Sequence, residues 1–259
     1  KTFVVLQNYI TLFTKDPLFW KALKNTVILM AFSTPITVFL GLVVAYLLFD
    51  ISRGKRLYQT VNFFPYITTP VAIGFIFSYL FDWQSGYANK LLTSIGILDE
   101  PFYWLNSETA SKVIIVIMIV WRYLGYYMTI YLAAMTSMPM EVYEAAAVDG
   151  ASNLKIFTRI TIPMLRHTTV FLVITSMIGG LQMFEEPKLL FSGWAALGGA
   201  QTGGPGNTAL TVVWKFYNDA FNLDSKLGYG SAIAYSLFMI IMLFSIIGFK
   251  ITGRGEKES

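Results

Sequence analysis

Few side chains in this sequence are equipped for chemistry. The 259 residues include one histidine, His167, and no cysteine. That removes disulfides, thiol chemistry and any metal site built from several imidazoles within the chain. A Ser-His-Asp arrangement could draw on that one base only. The G-x-x-x-x-G-K-[ST] run that cradles nucleotide phosphates is missing, so this polypeptide is not expected to hydrolyse ATP. Two stretches stand out instead. "WRYLGYYMTIY" carries Arg122, Tyr123, Tyr126 and Tyr127, a cation among phenols. "EAAAVDGAS", residues 144–152, sets helix-forming alanines before an acid and a glycine.

The elements that must position these residues are membrane helices. Hydrophobic residues make up 55% of the chain and charged ones only 13%, about half the usual share for a soluble domain. Aromatics reach 16%, as where Trp and Tyr collect at lipid–water boundaries. The composition reads as an all-α, polytopic integral membrane protein. Five segments are long enough to cross a bilayer: 25–49, 61–81, 113–135, 168–190 and 229–250. No segment alternates like a barrel strand. The net charge of +4 is modest and carries no expectation of nucleic acid.

Basic residues cluster in short connectors: Arg53, Lys55 and Arg56; Lys155, Arg159 and Arg166; Lys250, Arg254 and Lys257. The positive-inside rule then puts 50–60, 136–167 and the tail 251–259 in the cytoplasm. Lys1, Lys15, Lys21 and Lys24 run against that pattern. The segment 1–24 is expected to be external, with its apolar stretch at the interface. A sixth span before residue 1 would carry it there.

The gap between the third and fourth spans is too patterned for a linker. Ser137 and Pro139 suit a helix start, and "EVYEAAAV" suits the helix. Gly150 suits the left-handed position just past its end. Asp149 or Ser152 can cap a second helix, with Leu154, Phe157 and Ile160 on its apolar face and Pro163 at its end. On geometry alone, an interfacial helix without a partner fits as well.

A sugar site would pair aromatic faces with groups for hydroxyls in an apolar cleft. Tyr123 and Tyr127 share a face at i, i+4, with Tyr126 beside them; Ser176, Gly180 and Met183 form a stripe on the fourth span, with Thr175 and Gln182 nearby. Simple packing of tyrosines and small residues between helices is the alternative. Arg122 lies inside a span, a costly position that points to a cavity or a partner acid. Glu185 and Glu186, at the other end of the fourth span, fit gate or partner contacts better than proton carriage.

"EAAAVDGASNLKIFTRITIPML" resembles the EAA motif of ABC importer permeases. The pattern is E-A-A-x-x-D-G-A, nine residues at 152–160, then x-[LI]-P-x-L. Glu144, Ala145, Ala146, Asp149, Gly150, Ala151, Phe157, Ile160, Ile162, Pro163 and Leu165 match it, while His167 stands where relatives often have Pro. "NYITLFTKDPLFWKALKNT", "GYANKLLTSIGI" with "WLNSETA", and "MFEEPKLLF" with "TGGPGNTALTVVWKFYNDAF" resemble further segments of maltose-class carbohydrate permeases. "SGWAALGGAQ" is extra. The resemblance implies a type I importer permease fold, a permease domain over 25–250, and a coupling helix within the loop 138–165. In that reading Glu144 anchors the loop to an ATPase subunit and Gly150 supplies its bend. It also implies substrate contacts near Tyr123, Tyr126, Ser176, Gly180 and Met183.

The expected function is one membrane subunit of a sugar importer working by alternating access in a prokaryotic cell membrane. The substrate would be a di- or oligosaccharide. Expected partners are a second, homologous permease, two ATPase subunits holding ATP and Mg, an extracytoplasmic sugar-binding protein and membrane lipid. This chain itself would bind no cofactor. An ion-coupled secondary transporter is the competing reading, but no acid lies at mid-depth for it to use. An intramembrane enzyme would lack catalytic groups.

Overall fold

The computed structural model describes residues 6–51, 53–196, 203–221 and 226–254, and all their regular structure is helical. Residues 1–5 of the N-terminal segment, 197–201 of the extra stretch and 255–259 of the tail lie outside it, and with them Lys1 and Lys257. The helices are α1 (Gln7–Lys15), α2 (Pro17–Phe49), α3 (Lys55–Ile67), α4 (Pro70–Leu80), α5 (Tyr87–Ser94), α6 (Glu108–Thr136), α7 (Met140–Val148), α8 (Asn153–Ile156), α9 (Ile162–Met164), α10 (Arg166–Leu181), α11 (Glu185–Ala196), α12 (Val212–Phe221) and α13 (Leu227–Arg254).

Among the described residues, three unbroken helices are long and apolar enough to cross a membrane: α2, α6 and Leu227–Gly248 of α13. The count rises to as many as 5 if each of two broken pairs is one span. The breaks have local causes. Pro70 forces the preceding Thr69 into an extended conformation (ψ 133°), which separates α3 from α4. The second pair, Asn153–Met164 with Arg166–Leu181, breaks at Leu165. Apart from these pairs, the apolar run 168–190 expected as one span is also divided, because α10 stops at Leu181 and a new helix begins at Glu185. Its first turn takes two acids and Pro187, all suited to an N-terminus.

By contacts the chain forms two compact units. One comprises Thr34–Ile67 and Val120–Ser176. Its core joins Val38, Leu42, Ala45 and Leu48 of α2 to Tyr127, Met128, Tyr131, Leu132 and Met135 of α6, with Leu165 and Leu172. Glycine permits the close approaches. A Cβ on Gly41 would lie 2.6 Å from the Tyr127 Cβ, and one on Gly125 would lie 2.0 Å from the Asn62 carbonyl oxygen. Tyr131 donates to Thr169 Oγ1 at 3.1 Å, tying α6 to α10.

The other unit comprises Lys1–Ser33, Thr68–Ile119 and Met177–Ser259. Here α4 packs along α11 through small residues: a Cβ on Gly74 would meet Leu189 at 2.7 Å, and one on Gly193 would meet Ser78 Oγ at 2.4 Å. Buried Asn25 donates to the carbonyls of Asn207 and Leu210, and buried Thr26 accepts from Val212 N–H. These bonds hold a loop whose Gly203, Gly204, Gly206 and Asn207 all have positive φ. Asn89, also buried, uses its amide four times, on Trp83, Phe102 (twice) and Trp104.

A charged junction closes this unit. Asp16 caps α2 by accepting from Leu18 and Phe19 N–H. Its second oxygen meets Lys215 Nζ at 2.8 Å and accepts from Tyr229 at 2.5 Å, while Lys215 also reaches Asp219 at 2.9 Å. Lys215 is 5% exposed. Burial by itself would push the Asp16 carboxyl up, but Lys215, Tyr229 and the Phe19 N–H hold it below its ordinary value. Two acids around one buried ammonium offset a desolvation cost of several kcal/mol.

Lys215→Met leaves two carboxylates facing each other and is expected to cost about 3–5 kcal/mol. Asp16→Asn keeps the cap and removes one charge, so it should cost less. With the folded pKa of Asp16 depressed, its contribution is full at neutral pH and is lost as pH falls through that lowered value. Melting of the detergent-purified protein should therefore rank wild type above Asp16→Asn above Lys215→Met at pH 7, with the first two converging below about pH 4. Equal melting of Lys215→Met and wild type would show that the junction stabilises nothing.

Candidate functional site

Two constellations lie within the first of these units. In one, Tyr66 at the end of α3 stacks on Tyr126 of α6 (centroids 4.9 Å apart, planes 21° apart) and meets Tyr123 edge-on at 5.8 Å. All three rings are half-buried. The Arg122 guanidinium lies 5.3 Å from the Tyr123 ring centroid, and Arg122 is 8% exposed. Stacked phenols with a nearby cation offer flat apolar faces and hydroxyl donors, the chemistry that suits a sugar ring. Tyr127 is set apart from this face. It is buried in the core against Gly41, edge-on to Tyr126 at 5.5 Å.

Ser176 donates to Thr34 Oγ1 of α2 at 3.1 Å. Gly180, Gln182 and Met183 belong to the other unit. There Gly180 packs on Met30, with a Cβ reaching its Cγ at 2.7 Å. α10 ends at Leu181, so Gln182 and Met183 lie in the turn beyond it rather than on a helical stripe. Gln182 is exposed, Met183 is buried, and Thr175 is exposed and bonds back to its own helix.

The second constellation is the loop 138–165. α7 starts after extended Pro139 and carries Glu141 in its first turn. It has no buried residue: Glu144, Ala145, Ala147 and Val148 are exposed, Val148 to 87%. Its C-terminus is a Schellman closure, with Ala151 N–H on the Ala146 carbonyl and Gly150 N–H on Ala147. Gly150 has φ +71°, and a Cβ there would meet nothing within 4 Å. Its role is thus conformational, to turn the chain after Asp149. Ser152 caps α8 by accepting from Lys155 N–H.

After α8 the backbone widens into a π turn, Phe157–Thr161, closed by Ile162 N–H on the Phe157 carbonyl. Ile156 and Thr161 go inside and Phe157 is half-buried, whereas Leu154, expected on the apolar side, is 72% exposed; within α8 it stands two residues from Ile156, on nearly the opposite face. Pro163 sits exposed in the first turn of α9, after which the chain bends by 68° into α10.

Three groups escaped the reading of the sequence. Tyr66 stands in "NFFPYITTP", where only the tertiary fold brings it to Tyr126. Asn25 and Asn89 look like ordinary polar residues until their carbonyl partners are known. The Lys215–Asp219 pair at i, i+4 was visible as spacing, and Asp16 before Pro17 as a cap; their union was not. Among the described residues no group of His, Asp and Glu could hold a metal ion.

Residues 25–251 match the family described as binding-protein-dependent transport system inner membrane component. The lactose transport system permease protein LacF of Rhizobium radiobacter is 36% identical over 90% of this chain and 76% of its own length. The arabinooligosaccharides transport system permease protein AraP of Bacillus subtilis is 32% identical over 99% and 78%. A chain in the crystal structure of a bacterial alginate ABC transporter, complexed with an alginate pentasaccharide-bound periplasmic protein, has a TM-score of 0.81 at 24% identity. That match covers 95% of this chain and 82% of the other, and it bears on the fold. The chain belongs to the binding-protein-dependent transport system inner membrane component family and is a multi-pass membrane permease.

The bend at Gly150 makes a conformational prediction. Gly150→Asn, which tolerates the left-handed region, should accumulate and melt like wild type, while Gly150→Pro should melt lower, because proline fixes φ near −65°. Membrane-fraction yield and melting of the detergent-purified protein distinguish the two; equal values for both variants would mean the bend is dispensable.

Proposed function

We propose that this chain is one of two membrane subunits of an ATP-driven importer for a di- or oligosaccharide. The loop 138–165 is its docking element for an ATPase subunit. The observation that carries this reading is α7, a helix with no buried residue in its own chain, held at a defined bend. A helix so exposed, with apolar Val148 one turn from Glu144 and Leu154 uncovered on the following α8, is built to be covered by another protein. The positive-inside rule puts it in the cytoplasm, where ATP is available. Family membership and the saccharide transport system permeases among its relatives support a saccharide cargo and favour this reading over an ion-coupled carrier.

The mechanism is alternating access. Closure of two ATPase subunits draws the coupling loops of this permease and a homologous partner together, and the cavity turns outward to receive sugar from an extracytoplasmic binding protein. Hydrolysis returns it. ATP and Mg stay on the ATPase subunits. Tyr66, Tyr123 and Tyr126 form the sugar-facing surface in this chain, with Arg122 behind Tyr123. Ser176, in the same unit, joins them.

Two outcomes are expected in proteoliposomes containing the assembled transporter. Glu144→Arg should leave the permease inserted but abolish ATP-dependent uptake of radiolabelled lactose or arabinooligosaccharide; full uptake would exclude the docking role. Tyr126→Ala should weaken half-saturation for sugar about tenfold, as loss of a stacking face does, without changing recovery of the ATPase subunits. Unchanged half-saturation would remove the tyrosine cluster from the sugar path.

A further inference from the structure

The exposed helix α7 raises the question of what it pulls on. The chain leads from it into α6 and α10, but side chains join it most directly to α2. One turn of α2, carrying Tyr46 and Phe49, meets both arms of the loop. Tyr46 donates to the Asn153 carbonyl at 2.9 Å, and its ring lies 4.6 Å from Phe157. Phe49 packs on Tyr143 of α7 with centroids 5.7 Å apart. Tyr143 in turn lies 3.4 Å from Thr161 Oγ1, in the π turn, and donates to Met138 Sδ at 3.4 Å. Lys55 fastens the end of α2 by donating to the Phe49 carbonyl at 2.9 Å.

The bend itself makes no such contact, since nothing lies within 4 Å of a Cβ built on Gly150. The tip is therefore free to be gripped from outside while the base is clamped. The two ends of the π turn belong to the clamp, with Phe157 against Tyr46 and Thr161 beside Tyr143.

We infer that Tyr46 and Tyr143 are positioning residues that carry displacement of the loop 138–165 into α2. This deepens the coupling reading above and rests on it. The loop and the end of α2 move as one body, and α2 slides past α10 where Ser176 meets Thr34. The alternative is that motion travels along the backbone into α6 and α10, in which case these tyrosines are dispensable for coupling.

The chain has no cysteine, so Thr34→Cys on α2 reports on the Ser176–Thr34 contact by its rate of maleimide labelling in the full complex in nanodiscs. In this parent, Mg-ATP with vanadate should change the labelling rate. Tyr46→Leu and Tyr143→Leu should keep the ATPase subunits bound and hydrolysing but shrink that response about tenfold, within the range of ordinary coupling energies. Tyr46→Phe keeps the ring contact and loses only the hydroxyl, so it should recover most of the response.

An undiminished response in both leucine variants overturns the inference. So does a parent that does not respond, because α2 then does not move on Ser176. Loss of the ATPase subunits from the leucine variants also counts against it, since the tyrosines would then shape the dock rather than pass on its motion. Glu144→Arg in the same background separates the two readings. If it alone abolishes the response, docking stands and the tyrosine link falls. If it leaves both subunit binding and response intact, the docking reading itself fails.

Discussion

A Cβ on Gly125 would stand 2.0 Å from the Asn62 carbonyl, nearer than any side chain permits, so α3 and α6 touch backbone to backbone. Gly41 makes the same allowance for α2 beside Tyr127. Lipid tails are as apolar as leucine, and helices in a bilayer gain little from hiding apolar surface from each other. Association then depends on how many atoms meet closely. Close approach at these two glycines brings α2, α3 and α6 together. It also turns Tyr127 inward to fill the core and sets Tyr123 and Tyr126 beside Tyr66. The arrangement of the aromatic face thus follows from two missing methyl groups.

Polar groups do the corresponding work in the other unit. Asn25 and Thr26 spend their side chains on backbone groups of the glycine-rich loop that follows Gly203. The loop closes part of its backbone internally, as with Asn207 N–H on the Gly204 carbonyl and Ala209 N–H on Gly203, and Asn25 and Thr26 satisfy further groups at its end. Lys215 is an ammonium removed from water, and Asp16, Asp219 and Tyr229 exist around it as compensation. The same rule governs both: buried polar atoms are tolerated only where their partners are already positioned.

The loop 138–165 combines rigidity with exposure. Its turns are closed internally, by the Schellman bonds at Gly150, the Ser152 cap and the π turn, while its outer face is left uncovered. A connector needing only to join two spans would have no use for either property. Stiffness lets a force applied at one place appear at another, and the aromatic clamp at Tyr46 and Phe49 gives that force a second exit besides the backbone.

Much of this was legible in the sequence because it depends on local rules. Apolar runs of membrane length, Pro70 ahead of α4, Gly150 past α7 and Ser152 ahead of α8 each act within one turn of the residue that causes them. The helical class and the patterned loop followed from those signals, and so did its resemblance to a permease motif. What the sequence could not reveal depended on partners far along the chain. Leu154 faces outward, two residues from buried Ile156, and the run 168–190 is two helices; both depend on what the rest of the fold covers as well as on local signals. Tyr66 with Tyr126, Asn25 with Leu210, Asp16 with Lys215 and Tyr46 with Asn153 are pairings that no periodicity encodes. Local sequence determines the conformation of each segment; which side chains then meet is decided by the close packing of helices, and only the folded chain determines that.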